Sequence, residues 1–279
     1  MVRFSVITAT YNLIDCDRID SFRKAVASVR AQTHADIEHI VVDGASTDGT
    51  AELLNRMFAD GEFDILISEP DQGVYDAMNR GVDAASGDFV LFLNSDDSYH
   101  DPNGLSDLAR HSAADFIASP VVTRSERGDR ILAVSKGFAR VLLTMPFNHQ
   151  GLAVRRELFH RLDGFDLAFR IGADYDFILR MLMSGARGAR TCKPFVTYLE
   201  GGLSSDRTRA MADGVAVWLK NYSAHADLSR AEWESAMARR IVPVKLCRAM
   251  LLDASLPFVI RRSALVQLGR AMLKGSGNP

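Results

Sequence analysis

Two adjacent carboxylates, Asp96 and Asp97, follow the apolar run from Phe89 to Leu93. Carboxylate oxygens suit Mg²⁺ and Mn²⁺, and both ions commonly bridge protein acids to the phosphates of a substrate. Because like charges this close repel each other unless a cation or a set of donors offsets them, the pair predicts a divalent metal site. The alternative is that the two acids only begin a turn, as Asp often does.

Polar runs also follow three earlier strand-like segments. Together with the acidic pair, the four runs are Thr10 to Asn12, Asp43 to Asp48, Glu69 to Asp71 and Asn94 to Asp97. In an open parallel sheet, ligands bind beyond the carboxyl ends of the strands. One edge of such a sheet would collect at least five carboxylates here, which strengthens the prediction of a cation at that edge.

The elements that must position these residues alternate strand and helix through the first part of the chain. The predicted strands are Phe4 to Thr10, Ile37 to Val42, Phe63 to Ser68 and Asp88 to Leu93. The predicted helices between them are Ser21 to Ala31, Thr50 to Ala59 and Val74 to Ala85. This alternation is typical of an α/β fold with a mainly parallel central sheet flanked by helices.

Beyond Asp97 the pattern is looser. The predicted strands there are Phe116 to Val122, Ile131 to Val134 and Phe195 to Leu199. Helices are predicted near Arg155 to Arg161 and from Asp174 to Met183. The chain reads as helical from residue 206 almost to its end, so we expect three parts, residues 1–100, 101–205 and 206–279.

Two polar sites in the second part could also do chemistry. Asp174 and Asp176 begin a predicted helix about 200° apart, so only one of them can face a given cleft. A carboxylate there could take the proton of an attacking hydroxyl, or both could be ordinary first-turn acids. His149 and Gln150 lie in a polar interruption between apolar stretches. They could contact phosphate or an acceptor, or serve as structural hydrogen-bonding groups.

The composition is that of a soluble enzyme, with 47% hydrophobic and 24% charged residues. Three widely separated cysteines argue against a disulfide framework or a structural zinc site. No stretch approaches the roughly 20 apolar residues of a membrane-spanning helix, and the N-terminus lacks the pattern of a signal peptide. We therefore expect a cytoplasmic protein.

The last segment differs in charge from the rest of the chain. Residues 239–279 hold eight basic residues and one acid, Asp253, although the whole chain carries a net charge of -2. Basic and apolar residues mixed in this way favour a helix on an anionic membrane surface, here the inner face of the membrane. The alternative is a set of terminal helices that pack on the catalytic domain or on a second subunit of a homo-oligomer. No nucleic-acid partner is predicted.

Four motifs in the order found here resemble the inverting glycosyltransferases of family two, which share the GT-A fold. They are Val6 to Asn12, Val41 to Thr50, Asp71 to Gly81 and Asn94 to Asp97. Weaker similarity continues to about Gly202. The resemblance implies that residues 1–100 bind a nucleotide sugar, that residues 101–205 bind the acceptor, and that residues 206–279 form a helical C-terminal extension.

The resemblance also implies roles for single residues. Thr10, Tyr11 and Asp43 would hold the nucleobase, usually uracil, and Asp174 would be the catalytic base. The acidic motif would hold ribose and metal through Asp96 and Asp97. Asn79, in the third motif, and Asn94 complete the predicted donor-binding set. Two positions depart from the pattern, since the family often has Asp where this chain has Gly44 and Asn94.

The predicted reaction is transfer of a sugar from a nucleotide diphosphate sugar, with UDP expected, to a hydroxyl of a glycan or lipid-linked acceptor. Cell-surface polysaccharide synthesis is the family-level expectation. The chain lacks the Gly-x-Gly-x-x-Gly motif expected of a dinucleotide-binding oxidoreductase, because Thr8 to Asn12 stand at that place. A nucleotidyltransferase would be expected to carry a Gly-rich basic loop there. A non-catalytic nucleotide- or glycan-binding domain stays open because of Gly44 and Asn94.

Overall fold

A seven-stranded, mainly parallel sheet with helices around it confirms the predicted α/β class. The computed structural model describes residues 2–199 and 206–275, so the end of the weaker family similarity, near Gly202, lies outside the described residues. The described strands are β1 Phe4–Thr10, β2 Ile37–Asp43, β3 Ile65–Ser68, β4 Phe89–Phe92, β5 Ser98–Tyr99, β6 Phe116–Ala118, β7 Val121–Ser125, β8 Gly128–Leu132, β9 Leu152–Arg155, β10 Gly188–Arg190 and β11 Val196–Leu199.

The helices follow the predicted periodicity closely, and the one predicted from Thr50 to Ala59 has those same bounds. The described helices are α1 Ile19–Arg30, α2 Thr50–Ala59, α3 Val74–Ala84, α4 Gly104–Ala109, α5 Arg156–Arg161, α6 Ala173–Met183, α7 Arg207–Tyr222, α8 Arg230–Arg239, α9 Val244–Leu252 and α10 Phe258–Gly275. Two short 3₁₀ turns add Lys136–Phe138 and His149–Gly151.

The strand order of the large sheet decides where the functional loops lie. The order is β10-β6-β9-β4-β1-β2-β3, and β9 alone in it runs antiparallel, to β4 and to β6. The carboxyl ends of the other six strands therefore meet at one edge. The loops after β1, β2, β3 and β4 carry the polar runs predicted to bind a ligand.

The predicted strand from Phe116 to Val122 is wrong in one respect, because it is two strands. Ser119 and Pro120 interrupt it, and a proline offers no N–H to a strand ladder. β6 stays in the large sheet, whereas β7 joins a second, four-stranded sheet in the order β5-β11-β7-β8. β9 was not predicted, because its four residues are too short to show a period.

Apolar side chains on both faces hold the large sheet. Val6, Phe89 and Leu91 are fully buried in one cluster that also includes residues of α1 and α4. α3 lies close against β1, since a Cβ at Gly81 would come within 2.4 Å of Ile7 Cγ2. These contacts fix the strand ends from which the functional loops leave.

The chain forms two compact units that are interleaved along the sequence. Within the described residues, the first unit contains 2–133, 147–167 and 187–199, and the second contains 134–146, 168–186 and 206–275. Both sheets belong to the first unit. How the three predicted segments divide donor and acceptor binding stays a prediction.

The second unit is helical and has an aromatic core. Trp218, Tyr222 and Trp233 are fully buried, and Tyr175 O–H donates to Val141 O at 2.8 Å. Local signals in the sequence start its helices, because Ser229 and Glu232 form a reciprocal capping box at the start of α8. Among residues 2–199 and 206–275, none of the helices has the length and apolar character needed to span a bilayer.

Candidate functional site at the carboxyl edge of the large sheet

Interlocked hydrogen bonds join the loops after β1 and β2. Asn12 N–H donates to Ser46 Oγ at 2.8 Å, and Asn12 Oδ1 accepts from Thr47 N–H at 3.0 Å. Asp48 Oδ2 accepts from the N–H groups of Ile14 and Asp15 at 3.0 and 2.8 Å. Burial is the largest single effect on Asp48 and raises its pKa, but the bonds from Asp15 N–H and from Thr50 together outweigh it and lower the pKa to about 2. The two loops thus form one preformed surface.

Asp43 is the buried centre of this surface. None of its surface is exposed, and its carboxylate accepts from Ser46 N–H at 3.0 Å and from Ser68 Oγ at 2.9 Å. Ser46 Oγ donates to its other oxygen. Asp43 therefore ties the end of β2 to the end of β3, so the structure gives it a positioning role within this edge.

The side chains that face outward at the same edge are Tyr11 and Asp71. Tyr11 exposes 59% of its surface, and an exposed ring can stack on a planar base. Asp71 is half-buried, and its carboxylate lies against Gly44, where a Cβ would come within 2.7 Å of Asp71 Oδ2. Asp71 Oδ1 accepts from Gly73 N–H at 2.8 Å.

The acidic motif holds Asp97 in an almost closed environment. The residue is 1% exposed; its Oδ1 accepts from Leu199 N–H at 3.0 Å and its Oδ2 from Asn94 Nδ2 at 2.9 Å. Burial raises the pKa of Asp97 to about 7, and the neighbouring charge of Asp96 adds to the rise. The two hydrogen bonds and the charge of His149 oppose it.

Asp96 is more open than Asp97. Its side chain is 15% exposed, and Oδ2 lies 3.4 Å from Nη1 of Arg18. Arg18 precedes α1, in the loop after β1, so that loop brings a cation to the acidic motif. Charge on this pair is therefore only partly compensated by the protein.

The carboxylates of Asp96 and Asp97 fit a divalent cation that takes few ligands from the protein. The mutual repulsion of Asp96 and Asp97 is what a cation would relieve. Across residues 2–199 and 206–275, no three His, Cys, Asp or Glu side chains are grouped as a closed metal cage. Mg²⁺ and Mn²⁺ commonly use one or two carboxylates and complete their shell with phosphate and water. An open site of that kind needs only this pair.

His149 and Gln150 lie in the 3₁₀ turn before β9. His149 is half-buried and close enough for its charge to lower the pKa of Asp97. Gln150 is 2% exposed, and its buried Oε1 has no hydrogen-bond partner among residues 2–199 and 206–275. The structure thus brings His149 to the acidic motif and leaves an acceptor atom on Gln150 available to water or ligand.

Asn79, predicted to bind the donor, has both polar side-chain atoms in bonds to another segment of the first unit. Its Nδ2 donates to Phe165 O and its Oδ1 accepts from Phe165 N–H, both at 2.9 Å. Gly164 packs on the same amide, since a Cβ there would meet Asn79 Oδ1 at 2.7 Å. Both polar atoms are therefore used to fasten α3 to the 162–165 segment.

Within the second unit, the two acids of α6 have separate environments. Asp174 is 7% exposed, and its Oδ1 accepts from Tyr175 N–H at 2.7 Å. Asp176 is fully buried between α6 and α7. Its partners are Arg180 Nε at 2.7 Å, Lys220 Nζ at 3.0 Å and Asn221 Nδ2 at 2.8 Å. The contact with phosphate or acceptor predicted for Asp176 is thus replaced by a structural ion network.

Sequence reasoning gave no individual role to four residues that complete the sheet edge. Ser46 and Asp71 belong to the polar runs after β2 and β3 and Ser68 ends β3, so their position was a usable signal. Arg18 carried no such signal, because its partner Asp96 is distant in sequence.

A family profile described as glycosyl transferase family 2 matches residues 5–173. A PGL/p-HBAD biosynthesis glycosyltransferase of Mycobacterium tuberculosis is 36% identical over 210 residues, which cover 72% of this chain and 79% of that protein. An uncharacterised glycosyltransferase of the same species is 34% identical over 213 residues, 68% of this chain and 70% of that one.

Two solved structures share the fold. S. aureus TarS 1-349 in complex with UDP-GlcNAc has a TM-score of 0.62 at 18% identity and covers 98% of this chain and 92% of that one. A mannosyltransferase from Pyrobaculum calidifontis in complex with GDP-Man and Mn²⁺ has a TM-score of 0.60 at 18% identity, over 100% and 76% of the two chains. With the family match and the acidic motif at the strand ends, the chain belongs to glycosyl transferase family 2 and is a glycosyltransferase of GT-A fold.

Proposed function

We propose that this enzyme transfers a sugar, with inversion, from a UDP-sugar to a hydroxyl of a glycan or lipid-linked acceptor in cell-surface polysaccharide synthesis. The observation that carries the proposal is the pairing of Asp97, buried with a pKa raised to about 7, with Asp96 at the carboxyl edge of the sheet. Two adjacent carboxylates, one of them buried, cost the protein free energy when no cation is bound. The same pair can bind a cation that neutralises a diphosphate.

The donor nucleotide is assigned to the loops after β1, β2 and β3. The exposed ring of Tyr11 offers a stacking surface, and the carboxylate of Asp71 beside Gly44 offers an acceptor for the N–H of a uracil base. Thr10 and Asp43 hold the loops in place beneath them. The TarS complex with UDP-GlcNAc and the mannosyltransferase complex with GDP-Man support a nucleotide-sugar donor in this fold.

The diphosphate is assigned to Asp96 and Asp97, which would hold Mn²⁺ or Mg²⁺, with Asn94 fixing Asp97 in place. A divalent cation there would supply charge stabilisation to the departing diphosphate. Arg18, 3.4 Å from Asp96, holds the outer carboxylate of the pair. His149 adds positive charge near Asp97.

Asp174 is assigned as the catalytic base. An acceptor hydroxyl is a weak nucleophile near neutral pH, and a carboxylate can take its proton as the new C–O bond forms. The bond from the anomeric carbon to the diphosphate breaks in the same displacement, so the configuration inverts. Asp176, two residues later, is committed to Lys220 and Arg180, which leaves Asp174 as the acid of α6 for this role.

Calorimetric titration of UDP and GDP, with and without Mn²⁺, tests the donor assignment. We expect UDP to bind better with Mn²⁺ than without, and we expect Asp97→Asn to lose that dependence. Asp101→Asn, a nearby half-buried acid outside the motif, is the control. If neither nucleotide binds with Mn²⁺ present, the donor site is wrong and a glycan-binding domain becomes the better interpretation.

Product analysis separates the remaining alternatives. We expect wild type to release UDP from a UDP-sugar, and we expect Asp174→Asn to bind UDP normally while turnover falls by about 10²-fold or more. Asp20→Asn, an exposed first-turn acid of α1, should turn over normally. UDP binding without any turnover would favour the non-catalytic interpretation. Release of pyrophosphate from UTP and a sugar phosphate would favour a nucleotidyltransferase.

A further inference from the structure

The outward face of α10 is apolar. Phe258, Leu265 and Met272 expose 78%, 56% and 58% of their surface. They recur every seven residues, which places them along one side of a helix. Val266 is exposed beside them. A helix that served only to cover its own domain would turn such side chains inward.

The inward face of the same helix buries Ile260 and Ala264 together with two polar side chains. Ser263 and Gln267 are buried, and each donates to Ala139 O at 3.0 Å. Ser263 Oγ also accepts from Leu142 N–H at 3.4 Å. These directed bonds fix the rotation of α10, so the apolar stripe faces outward because the fold holds it there.

Cations also lie on α10, and residues 258–275 contain no Asp or Glu. Arg270 is exposed, whereas Arg261 and Arg262 are half-buried: Arg261 Nε donates to Leu251 O at 3.2 Å, and the guanidinium of Arg262 lies against Gly137. Asp253 precedes the helix, but its carboxylate caps its own turn by accepting from Ser255 N–H at 2.9 Å and Ser255 Oγ at 2.6 Å. The neighbouring α9 adds exposed Lys245, Arg248 and Leu252.

A groove of about 410 Å³ lies within the second unit, along a different side of α10 from the stripe. Arg240 and Arg270 flank it, and the rest of its lining is Leu143, Ile241, Val242, Gln267 and Leu273. Two guanidinium groups around an apolar floor suit a phosphate carried on an acyl chain. The groove thus extends the apolar and basic character of α10.

We propose that α10 docks this protein on a lipid bilayer rich in anionic headgroups. The stripe of Phe258, Leu265 and Met272 enters the interfacial layer, and the exposed cations Arg248 and Arg270 contact headgroup phosphates. A second copy of the chain fits this surface less well, because two α10 helices face to face would oppose arginines with no acid between them. The inference does not depend on the donor site or on the transfer reaction.

Vesicle flotation of the full chain tests the proposal. We expect binding to phosphatidylcholine vesicles that contain phosphatidylglycerol, little binding to phosphatidylcholine alone, and weaker binding at high salt. The triple variant Phe258→Ser, Leu265→Ser, Met272→Ser should lose at least about tenfold in affinity for the anionic vesicles. Arg270→Glu should weaken binding by about tenfold through charge alone.

Matched controls lie on the β7–β8 hairpin of the first unit. Ile131→Ser removes an equally exposed apolar side chain, and Arg127→Glu reverses an exposed cation; neither should change binding. Point variants are preferred to deletion of α10, since deletion would remove the donors to Ala139. Unchanged thermal midpoints will show that the variants are folded.

Three results would overturn the proposal. The first is that wild type binds neither kind of vesicle, and the second is that the stripe variant binds as well as wild type. A dimer in sedimentation equilibrium that the stripe variant dissociates would show that a second copy covers the stripe instead.

Discussion

The carboxylate of Asp71 fills the space that a side chain at residue 44 would occupy. A Cβ built on Gly44 would lie 2.7 Å from Asp71 Oδ2 and 3.1 Å from its Cγ. The acid that the family often carries directly after Asp43 is absent here, and an acid from the loop after β3 stands beside that position. The departure at Gly44 is therefore matched by a carboxylate from another strand end.

Gly44→Ala should displace that carboxylate. The added methyl group forces Asp71 to rotate, which breaks its 2.8 Å bond from Gly73 N–H. We expect UDP affinity to fall by about tenfold, the effect of one charge-assisted hydrogen bond, with a small change in thermal midpoint. Titration calorimetry measures the affinity. Gly269→Ala, where a methyl group meets nothing within 4 Å, is the control. If the two variants bind UDP equally well, Asp71 is not part of the donor site.

Asn79→Ala distinguishes a structural from a donor-binding role. The change removes both bonds to Phe165, and we expect the free energy of unfolding to fall by about 2 kcal/mol. UDP affinity should stay within a factor of about three. Asn55→Ala, which removes an exposed bond to Ala51 O, controls for loss of an Asn from a helix. Lost UDP affinity with unchanged stability would restore the predicted donor contact.

The elements of the first hundred residues could be predicted well because doubly covered strands are apolar throughout and their helices show a clear period. The acidic motif was equally visible, since two acids follow the run that became β4. The contact of Asp71 with Gly44 could not be predicted from the sequence, because it depends on how two loops pack.

The roles of Asp174 and Asp176 show a second limit of sequence reasoning. Helical geometry indicated that the two acids face different ways, but not which one is buried. Lys220, whose ammonium group pairs with Asp176 and not with Asp174, lies 44 residues further along in α7. Only the packing of α6 on α7 separates a structural acid from a candidate base.

Asp176→Asn should destabilise the second unit. The change removes the charge that Arg180 and Lys220 share, but these two cations are partly exposed to water, so we expect a cost of about 2 kcal/mol, that of lost charge-assisted hydrogen bonds. Urea denaturation followed by tryptophan fluorescence measures it, since Trp218 and Trp233 lie in that unit. Asp129→Asn, from a surface pair with Arg124, should leave the midpoint unchanged. A stable variant with impaired turnover would instead return Asp176 to the acceptor site.

His39 should make the protein sensitive to acid. Burial lowers the pKa of His39 to about 3, while Nε2 lies 3.0 Å from Thr8 Oγ1 and Nδ1 has no partner in the described part of the chain. Between pH 6.5 and about pH 3, His39 is protonated in the unfolded chain but stays neutral in the folded protein. The contribution to stability is thus present at neutral pH and is lost on acidification, by up to about 1.4 kcal/mol per pH unit.

Urea titrations at pH 7.5 and 5.5 measure this dependence. His39→Gln, which can keep the bond to Thr8, should show a smaller loss of stability between the two pH values than wild type. Thr8 stays in place in both proteins, so the difference reports the imidazole. Equal losses would mean that other groups govern the acid sensitivity.

The bonds from α10 to Ala139 span 124 and 128 residues of sequence. During synthesis, the segment 134–146 leaves the ribosome long before the helix that completes its surroundings. The sheet unit has most of its strands by then, and domains generally fold in the order in which they are made. The helical unit must wait for nearly the whole chain. A nascent chain stalled before Phe258 should therefore carry a largely folded sheet and an unfinished helical unit, which makes late translation the stage most exposed to misfolding and proteolysis.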